Sequence, residues 1–418
     1  MNFNDWFLDL QTRTAPNAGA GLVAFEALLK RVENPQQKYQ IIHVAGTNGK
    51  GTVCTLLAHA LGCGGLQTGL FVSPHLCSPT ERIQLNGQSI LEEDFISCVQ
   101  TVLAQAQEPL NFFELITAAA LVYFATKHAQ YVVLETGLGG RKDPTNVCTP
   151  VLSVITSIGL DHTAILGDTL AQIACEKAGI IKPEVPVLCG PVPDEAARVI
   201  EQTVLDRHAP LTWVQAGDPF YEYACDFVNG FTTLHTADQQ EWDLHLLGSK
   251  QTQNACLVYH AAKRLGVPDQ VIKTAFQTVN LPGRFERIKY QNSTLILDGA
   301  HNPQAVEALL EFWQRTPYAL QNPTLLCGFM KDKDFPAMLR RLAPHFARVI
   351  VTPPPSARAA TQNELGDLLN AENITFVPDY RHALTQALTS SVVLCTGSFY
   401  LVGAVRAALG AESKNSPS

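Results

Sequence analysis

From Gln40 onward the chain alternates short β-rich runs with helical stretches, and this rhythm constrains its architecture more than any other feature. Gln40–Val44 reads as a strand, followed by a glycine-rich turn and a helix over Thr52–Leu61 that Gly62 stops. Leu70–Val72 is a second strand, Glu114–Thr126 an apolar helix, Tyr131–Leu134 a buried strand and Val151–Thr156 another. Thr169 with Gln172 makes a capping box that opens a helix, and Gly179 and Pro183 close it. Successive parallel strands need a crossover, which a helix supplies, so the pattern predicts a mostly parallel, doubly wound α/β sheet. Ahead of it, Leu22, Phe25, Leu28, Leu29 and Val32 fall at helical spacing.

The rhythm breaks once. Between Trp213 and Leu247 the apolar period falls toward two, with Val228–His235 and Trp242–Leu246 on either side of a polar turn, which predicts a small antiparallel appendage. After Leu281-Pro282-Gly283-Arg284 the alternation restarts, with strands at Thr294–Leu297, Thr324–Cys327, Val349–Thr352, Thr375–Val377 and Val392–Cys395. This second stretch is itself Rossmann-like. The 418 residues are too many for one small domain, and the expected division is an N-terminal domain over 1–284 and a smaller one over 285–418.

Composition narrows the partners. With 46 % apolar and 16 % charged residues the chain can bury a core. Lys and Arg number 30 against 38 Asp and Glu, a net charge of −8, and no basic tract is present, so nucleic acid is not an expected partner. Small anionic substrates remain compatible, because a few local cations can hold them. The 11 cysteines are scattered singly, which suggests neither a disulfide framework nor a zinc ribbon. The start MNFNDWFLDL lacks a basic and an apolar leader region, and no apolar stretch approaches the ~18 residues of a membrane span. The expectation is a cytoplasmic protein with no membrane partner.

The strongest local signal is Val44-Ala45-Gly46-Thr47-Asn48-Gly49-Lys50-Gly51-Thr52, after a strand and opening a helix. Its glycines let backbone N–H groups turn inward around phosphates, and the helix N-terminus adds positive potential. Lys50 reaches for the terminal phosphates and the Thr52 hydroxyl for a Mg²⁺ ion. The spacing is two residues shorter before the lysine than G-x-x-x-x-G-K-[ST], with an extra Gly51 after it.

Three further turns sit at strand ends, where α/β sheets bind ligands: Ser73-Pro74-His75, Glu135 leading into Thr136-Gly137-Leu138-Gly139-Gly140-Arg141, and Asp161-His162-Thr163. A hydroxyl, a carboxylate and an imidazole there suit divalent cations beside phosphates. Lys177, near the end of its helix, reads equally as a cation favoured by the helix dipole. In the second stretch, Asp298-Gly299-Ala300-His301-Asn302-Pro303 again follows a strand and opens a helix. A capping Asn302 before Pro303 explains part of it and leaves Asp298 and His301 over.

Together these residues resemble the folylpolyglutamate synthase/dihydrofolate synthase family, a branch of the Mur-type amide ligases. The likeness rests on AGTNGKGT (45–52), SPHL (73–76), ERI (81–83), LETGLGGR (134–141), ITSIGLDHT (155–163), EKAGIIKP (176–183), PGR (282–284), LDGAHNP (297–303) and TGSFYLVGAVR (396–406), in that order. The resemblance implies a P-loop ATPase-like N-terminal domain, a Rossmann-like C-terminal domain and a cleft between them. It also implies a reaction in which ATP phosphorylates a carboxylate and L-glutamate attacks the acyl phosphate, with dihydropteroate and reduced folates as acceptors. Implied cofactors are Mg²⁺ at two sites and a monovalent cation, and the implied state is a monomer.

Carried over by the resemblance, Thr47, Asn48, Gly49, Lys50, Gly51 and Thr52 cradle ATP, and Asn254, Arg284, Asp298 and His301 contact it. Ser73 and Glu135 match the ligands of one Mg²⁺ and His162 that of a second. Lys177 matches a lysine carried as a carbamate, and with Lys50 and His162 it makes the implied catalytic set. Asn111, Phe112, Phe113 and Glu114 match a pterin wall, Lys142, Asp143 and Pro144 its other side, and Arg13 and Thr14 its N-terminal edge. An aromatic face can stack on a planar pterin and a carboxylate can accept from its amino edge. Phe112 and Phe113 read equally as core residues opening a buried helix, a reading that leaves the acidic Glu114 unexplained.

The sequence departs from the family pattern at Lys250, where His is usual, at Thr136, at Lys142, and at Pro144 of Asp143-Pro144-Thr145-Asn146. None of these removes a phosphate or metal group. A Mur-type ligase for another acceptor, a monofunctional folylpolyglutamate synthase and a non-catalytic nucleotide-binding protein are the competing readings. SPHL with LDGAHNP argues for folate, and the presence of Lys50, Glu135 and His162 argues for catalysis.

Overall fold

The computed structural model describes residues 3–13 and 21–413. The chain forms two compact units, Met1–Glu222 with His235–Trp242 and Thr252–Val279, and Tyr223–Leu234 with Asp243–Gln251 and Asn280–Ser418. Among the described residues no helix is long and apolar enough to cross a membrane.

The first unit is built on one sheet. Its strands are β1 (Gln40–Ala45), β2 (Thr68–Phe71), β3 (Ile83–Leu85), β4 (Gln88–Ser89), β5 (Tyr131–Glu135), β6 (Leu152–Ile155), β7 (Val187–Cys189) and β8 (Leu211–Trp213), in the order β4-β3-β2-β5-β1-β6-β7-β8. The strands from β2 to β8 in that order are parallel, and β3 and β4 add an antiparallel edge. Helices Lys50–Cys63 and Phe112–Thr126 are apolar nearly all round and bury most of their residues, as helices covered on all sides do. Phe25, Leu28 and Leu29 of the helix Gly21–Arg31 join the core under the sheet, as their spacing predicts.

Register places the chemistry. β1 lies between β5 and β6, with Val44 opposite Glu135 and Ala45 opposite Ile155. The carboxyl ends of β1, β5 and β6 therefore sit side by side, and the glycine loop, Glu135 and Thr156 emerge together, where a parallel sheet offers its binding crevice.

A three-stranded sheet in the order β11-β10-β9 comprises β9 (Phe220–Asp226), β10 (Phe231–Thr236) and β11 (Glu241–Leu244). Val228, expected to begin a strand, lies instead in a turn. The Asp226 carboxylate accepts from the Val228 and Asn229 N–H groups at 2.8 Å each, and Gly230 takes left-handed backbone with φ 82°. The second unit carries β12 (Glu286–Tyr290), β13 (Ser293–Leu297), β14 (Thr324–Cys327), β15 (Arg348–Val351), β16 (Ile374–Phe376) and β17 (Val392–Thr396), ordered β12-β13-β17-β14-β15-β16. All are parallel except β12, so this unit is Rossmann-like too.

One charged-type side chain is spent on the centre of the first sheet. His43 in β1 is fully buried, its Nε2 lies 2.7 Å from Thr145 Oγ1, and Cys148 Sγ is 3.7 Å from its Nδ1. Burial, with Lys182 adding to it, pushes its pKa down to about 3, so the ring is neutral in the fold. A histidine depressed in this way contributes stability that is whole above its unfolded pKa near 6.5 and is lost as the pH falls toward 3. Between pH 6 and 4 the unfolding free energy of His43→Gln should therefore fall less steeply than wild type, by about 1.4 kcal/mol per pH unit. Denaturant titrations across that range check this, and identical slopes would mean that the imidazole is charged in the fold.

Candidate active site

The glycine loop is held from one side. Thr47 N–H donates to Ser157 O at 2.8 Å, Thr47 Oγ1 donates to Gly159 O at 3.1 Å and accepts from Gly159 N–H at 3.0 Å. Asn48 O accepts from Thr156 Oγ1 at 2.7 Å and from Ser157 Oγ at 3.0 Å. Gly46 must be glycine, since a Cβ there would lie 1.9 Å from Thr156 Oγ1. Gly49 takes left-handed backbone (φ 86°) and caps the helix, which begins at Lys50 rather than at Thr52. The first helical N–H groups then belong to Lys50, Gly51 and Thr52, where an anion binds best. Thr156, Ser157 and Gly159 hold the loop, a role that spacing alone does not single out, although they lie within the ITSIGLDHT segment.

Two lysines meet this loop. Lys50 Nζ donates to Gly46 O at 3.1 Å and to Thr47 O at 3.3 Å, and Lys177 Nζ reaches the same Gly46 O at 2.7 Å. Lys177 is 4 % exposed, so it is no ordinary solvated cation at a helix end. The turn 137–146 ties down the end of the helix that carries it. Arg141 N–H donates to Glu176 O at 2.7 Å, the Arg141 guanidinium pairs with the Glu176 carboxylate, and Asn146 Nδ2 donates to Arg141 O and Gly179 O.

Glu135, buried at the end of β5, accepts the Ser73 N–H at 3.0 Å, so these two expected metal ligands are adjacent. Burial raises the pKa of Cys54, with Glu135 acting the same way and Lys50 opposing, so both charges act at the start of the helix Lys50–Cys63. Among the described residues no cluster of three or more His, Cys, Asp and Glu side chains is gathered for a metal. The Glu135 carboxylate with Ser73 against it fits Mg²⁺, which keeps waters and shares its shell with phosphates. His162 heads the short helix Thr163–Leu166 in left-handed backbone (φ 50°), its Nε2 3.9 Å from Asp161 Oδ1, in the loop that also carries Gly159. Asn254, in the helix Ser249–Arg264, faces the loop, since a Cβ on Gly49 would lie 2.6 Å from its Oδ1.

The expected pterin wall is partly structural. Asn111 and Glu114 form a reciprocal capping box, Asn111 Oδ1 accepting from Glu114 N–H and Glu114 Oε2 from Asn111 N–H, both at 2.9 Å. The acid left unexplained by burial is thus explained by helix capping, which corrects that inference. Phe112 and Phe113 are half-buried against the core, and a Cβ on Gly137 would lie 2.4 Å from the Phe113 ring. Asp143 is buried, and its carboxylate accepts from Leu138 N–H at 2.8 Å, Thr145 N–H at 3.0 Å and Thr145 Oγ1 at 2.5 Å. Lys142 is exposed and Pro144 half-buried beside it. Arg13 ends the helix Phe3–Arg13, and Thr14 lies outside the described residues.

Next to the metal side, Arg82 is buried and its Nε donates to His75 Nδ1 at 2.8 Å. Burial first, and the Arg82 charge second, hold His75 down to about 3 and hence neutral. In the second unit, Asp298 accepts from Phe285 N–H and Ala300 N–H at 2.9 Å each. Burial raises its pKa while Arg284 opposes. Arg284 lies over the Phe399 ring at 4.6 Å, and His301 bonds Gly299 O at 2.8 Å with its ring 5.3 Å from Phe399. Arg284, Asp298 and His301 therefore form one cluster. Lys250 is exposed in the first turn of its helix.

Residues 44–262 match the Mur ligase middle domain and residues 283–399 the Mur ligase glutamate ligase domain. The chain is 34 % identical to the dihydrofolate synthase/folylpolyglutamate synthase of Bacillus subtilis (strain 168), over 92 % of this chain and 94 % of that one. It belongs to the folylpolyglutamate synthase/dihydrofolate synthase family of Mur ligases. Among solved structures, folylpolyglutamate synthase of Mycobacterium tuberculosis complexed with ADP and AMPPCP is similar at TM-score 0.87 and 26 % identity, covering 98 % of this chain and 99 % of that one. E. coli FolC in complex with DHPP and ADP is similar at TM-score 0.85 and 28 % identity, covering 99 % of each chain. The family's α/β architecture is the one the strand–helix alternation predicts.

If the loop must approach phosphates this closely, a methyl group at Gly49 will press on Asn254 and strain left-handed backbone. Gly49→Ala should weaken ADP binding at least ~10-fold, about 1.4 kcal/mol, by calorimetry. Affinity within twofold of wild type would show that the loop has slack.

Proposed function

We infer that the chain is an ATP-dependent ligase that adds L-glutamate to dihydropteroate, forming dihydrofolate, and to the γ-carboxylate of reduced folates. The observation that carries this reading is Lys50 and Glu135–Ser73 gathered at the carboxyl ends of β1, β5 and β2, in a chain matching such synthases over nine-tenths of its length. A carboxylate oxygen of the acceptor attacks the γ-phosphorus of ATP and ADP leaves. The amine of L-glutamate then attacks the acyl carbon, phosphate leaves and an amide forms. Phosphoryl transfer of this kind mostly needs positioning and charge neutralisation.

Each residue has a part in that scheme. The N–H groups of Lys50, Gly51 and Thr52 cradle the phosphates while Thr47 and Asn48 anchor the loop, and the Lys50 ammonium turns from the Gly46 and Thr47 carbonyls toward the terminal ones. Ser73 and Glu135 would hold one Mg²⁺ and His162 a second, and the ions when bound would neutralise phosphate charge. Lys177 is proposed to carry a carbamate, formed when its neutral amine adds carbon dioxide and releases a proton. Its supports are its burial against the loop and the Arg141–Glu176 pair that ties down the residue before it. Asn254 with Arg284, Asp298 and His301 contacts the nucleotide. The two matched family models support assigning ATP binding to residues 1–284 and glutamate ligation to 285–418.

The dihydropteroate half of the reading rests on Phe112 and Phe113 staying half-buried at the start of their helix, with the Phe113 ring against the turn at Gly137. Lys50→Ala should lower kcat/KM at least ~100-fold, about 2.7 kcal/mol, with the fold unchanged. More than a tenth of wild-type turnover in that variant would remove Lys50 from the mechanism. Purified protein with ATP, Mg²⁺, L-glutamate and dihydropteroate should yield dihydrofolate. Because Glu114 is committed to its capping box, Glu114→Gln, which keeps that box and removes the charge, should leave dihydrofolate formation and tetrahydrofolate extension equally little affected. Active wild-type enzyme making no dihydrofolate would leave a monofunctional folylpolyglutamate synthase.

A further inference from the structure

The segment Glu81-Arg82-Ile83 has no place in the chemistry above, yet its side chains are committed to one task. The Glu81 carboxylate accepts from three successive N–H groups, Leu76 at 2.7 Å, Cys77 at 3.0 and 3.3 Å, and Ser78 at 2.8 Å. Ser78 in turn caps the short helix Pro79–Arg82 in a capping box with Glu81. Arg82 O accepts from Val72 N–H at 3.0 Å, and Phe71 of β2 pairs with Ile83 of β3. The turn 72–78 is thus tied along most of its length to the residues that follow it.

Arg82 also faces a second group. Besides its bond to His75 Nδ1 at 2.8 Å, its guanidinium carbon lies 5.8 Å from the centre of the Phe112 ring. Phe7 completes the arrangement, its ring 5.1 Å from Phe112 and 5.8 Å from His75, edge to face in both pairs. One buried guanidinium therefore touches the turn that carries Ser73 and the aromatic residue that opens the helix Phe112–Thr126. A planar cation with donors in a fixed fork can hold two such groups at once, and an ammonium on a flexible stem cannot.

We propose that Glu81 and Arg82 are positioning residues of the ligase reaction, bracing the turn 72–78 so that Ser73 stays beside Glu135 and coupling that metal-side turn to the Phe112 wall for the acceptor. This rests on the reading of Ser73, Glu135 and Phe112 given above. The nucleotide loop lies outside the brace, because Thr47, Asn48 and Gly46 are gripped by Thr156, Ser157 and Gly159. Loss of the brace should therefore leave bare ADP binding intact while the metal's contribution and acceptor binding both suffer.

The test compares Arg82→Lys with wild type by calorimetry of ADP in EDTA and in Mg²⁺, by Mn²⁺ affinity in the presence of ADP from electron paramagnetic resonance, and by KM for dihydropteroate and for tetrahydrofolate. The expected result is ADP affinity in EDTA within twofold of wild type, Mn²⁺ affinity at least fivefold weaker, and acceptor KM at least fivefold higher. A folded Arg82→Lys with unchanged Mn²⁺ affinity and unchanged acceptor KM overturns the proposal. So does an equal loss of ADP affinity in EDTA, which would mark general loosening of the unit. Should Arg82→Lys not fold, Glu81→Gln carries the same readouts, since it keeps the shape and weakens the three-amide grip. Wild-type protein that binds Mn²⁺ with ADP yet uses neither acceptor would sink the reading of function, while the Mn²⁺ comparison would still decide the brace.

Discussion

Hydroxyl and backbone groups of residues 156–159 grip the glycine loop from one side, and the gap they leave at Gly46 has no room even for a methyl group. The rest of the site depends on this contact. It aligns the first N–H groups of the helix Lys50–Cys63 and leaves Gly46 O as the point on which Lys50 and Lys177 both bear. A loop that shed its side chains to admit phosphates would otherwise be the loosest part of the sheet, because glycine loses the most backbone freedom on ordering. The neighbouring strand end supplies the missing stiffness through hydrogen bonds to charge-free groups, which add no competing charge where phosphates belong.

Around that loop the sheet register does the assembling. Parallel pairing of β5, β1 and β6 sets Glu135, the loop and Thr156 at adjacent strand ends, and Ser73, just past β2, lies against Glu135. Carboxylates and amines taken from water at such a site are costly unless each has a partner, and here the partners are largely backbone. Glu81 holds three amides, Asp143 two amides and a hydroxyl, and Asp298 two amides. Each of these acids fixes the turn it stands in.

That division explains which readings of the sequence needed correction. A capping acid and a ligand-binding acid look alike in one dimension, since both follow a strand or precede a helix. Burial alone gives no reason for Glu114, yet it closes a box with Asn111 three residues earlier. Val228, apolar and β-branched, reads as a strand start, but the Asp226 carboxylate bends the chain there. Lys177 went the other way. Its place near a helix end suggests a solvated cation, and the fold turns it inward against the loop.

By itself the sequence determined the strand–helix order, the parallel sheets, the phosphate loop and the caps at Thr169 and Asn302. All of these depend on residues within a few positions of one another, where propensity and backbone geometry act directly. The tertiary structure alone decided that Thr156 and Ser157 hold the loop, that Glu135 meets Ser73 and that Arg82 reaches both His75 and Phe112. Those partners lie up to about a hundred residues apart along the chain, and only strand register and helix packing bring them within hydrogen-bonding reach.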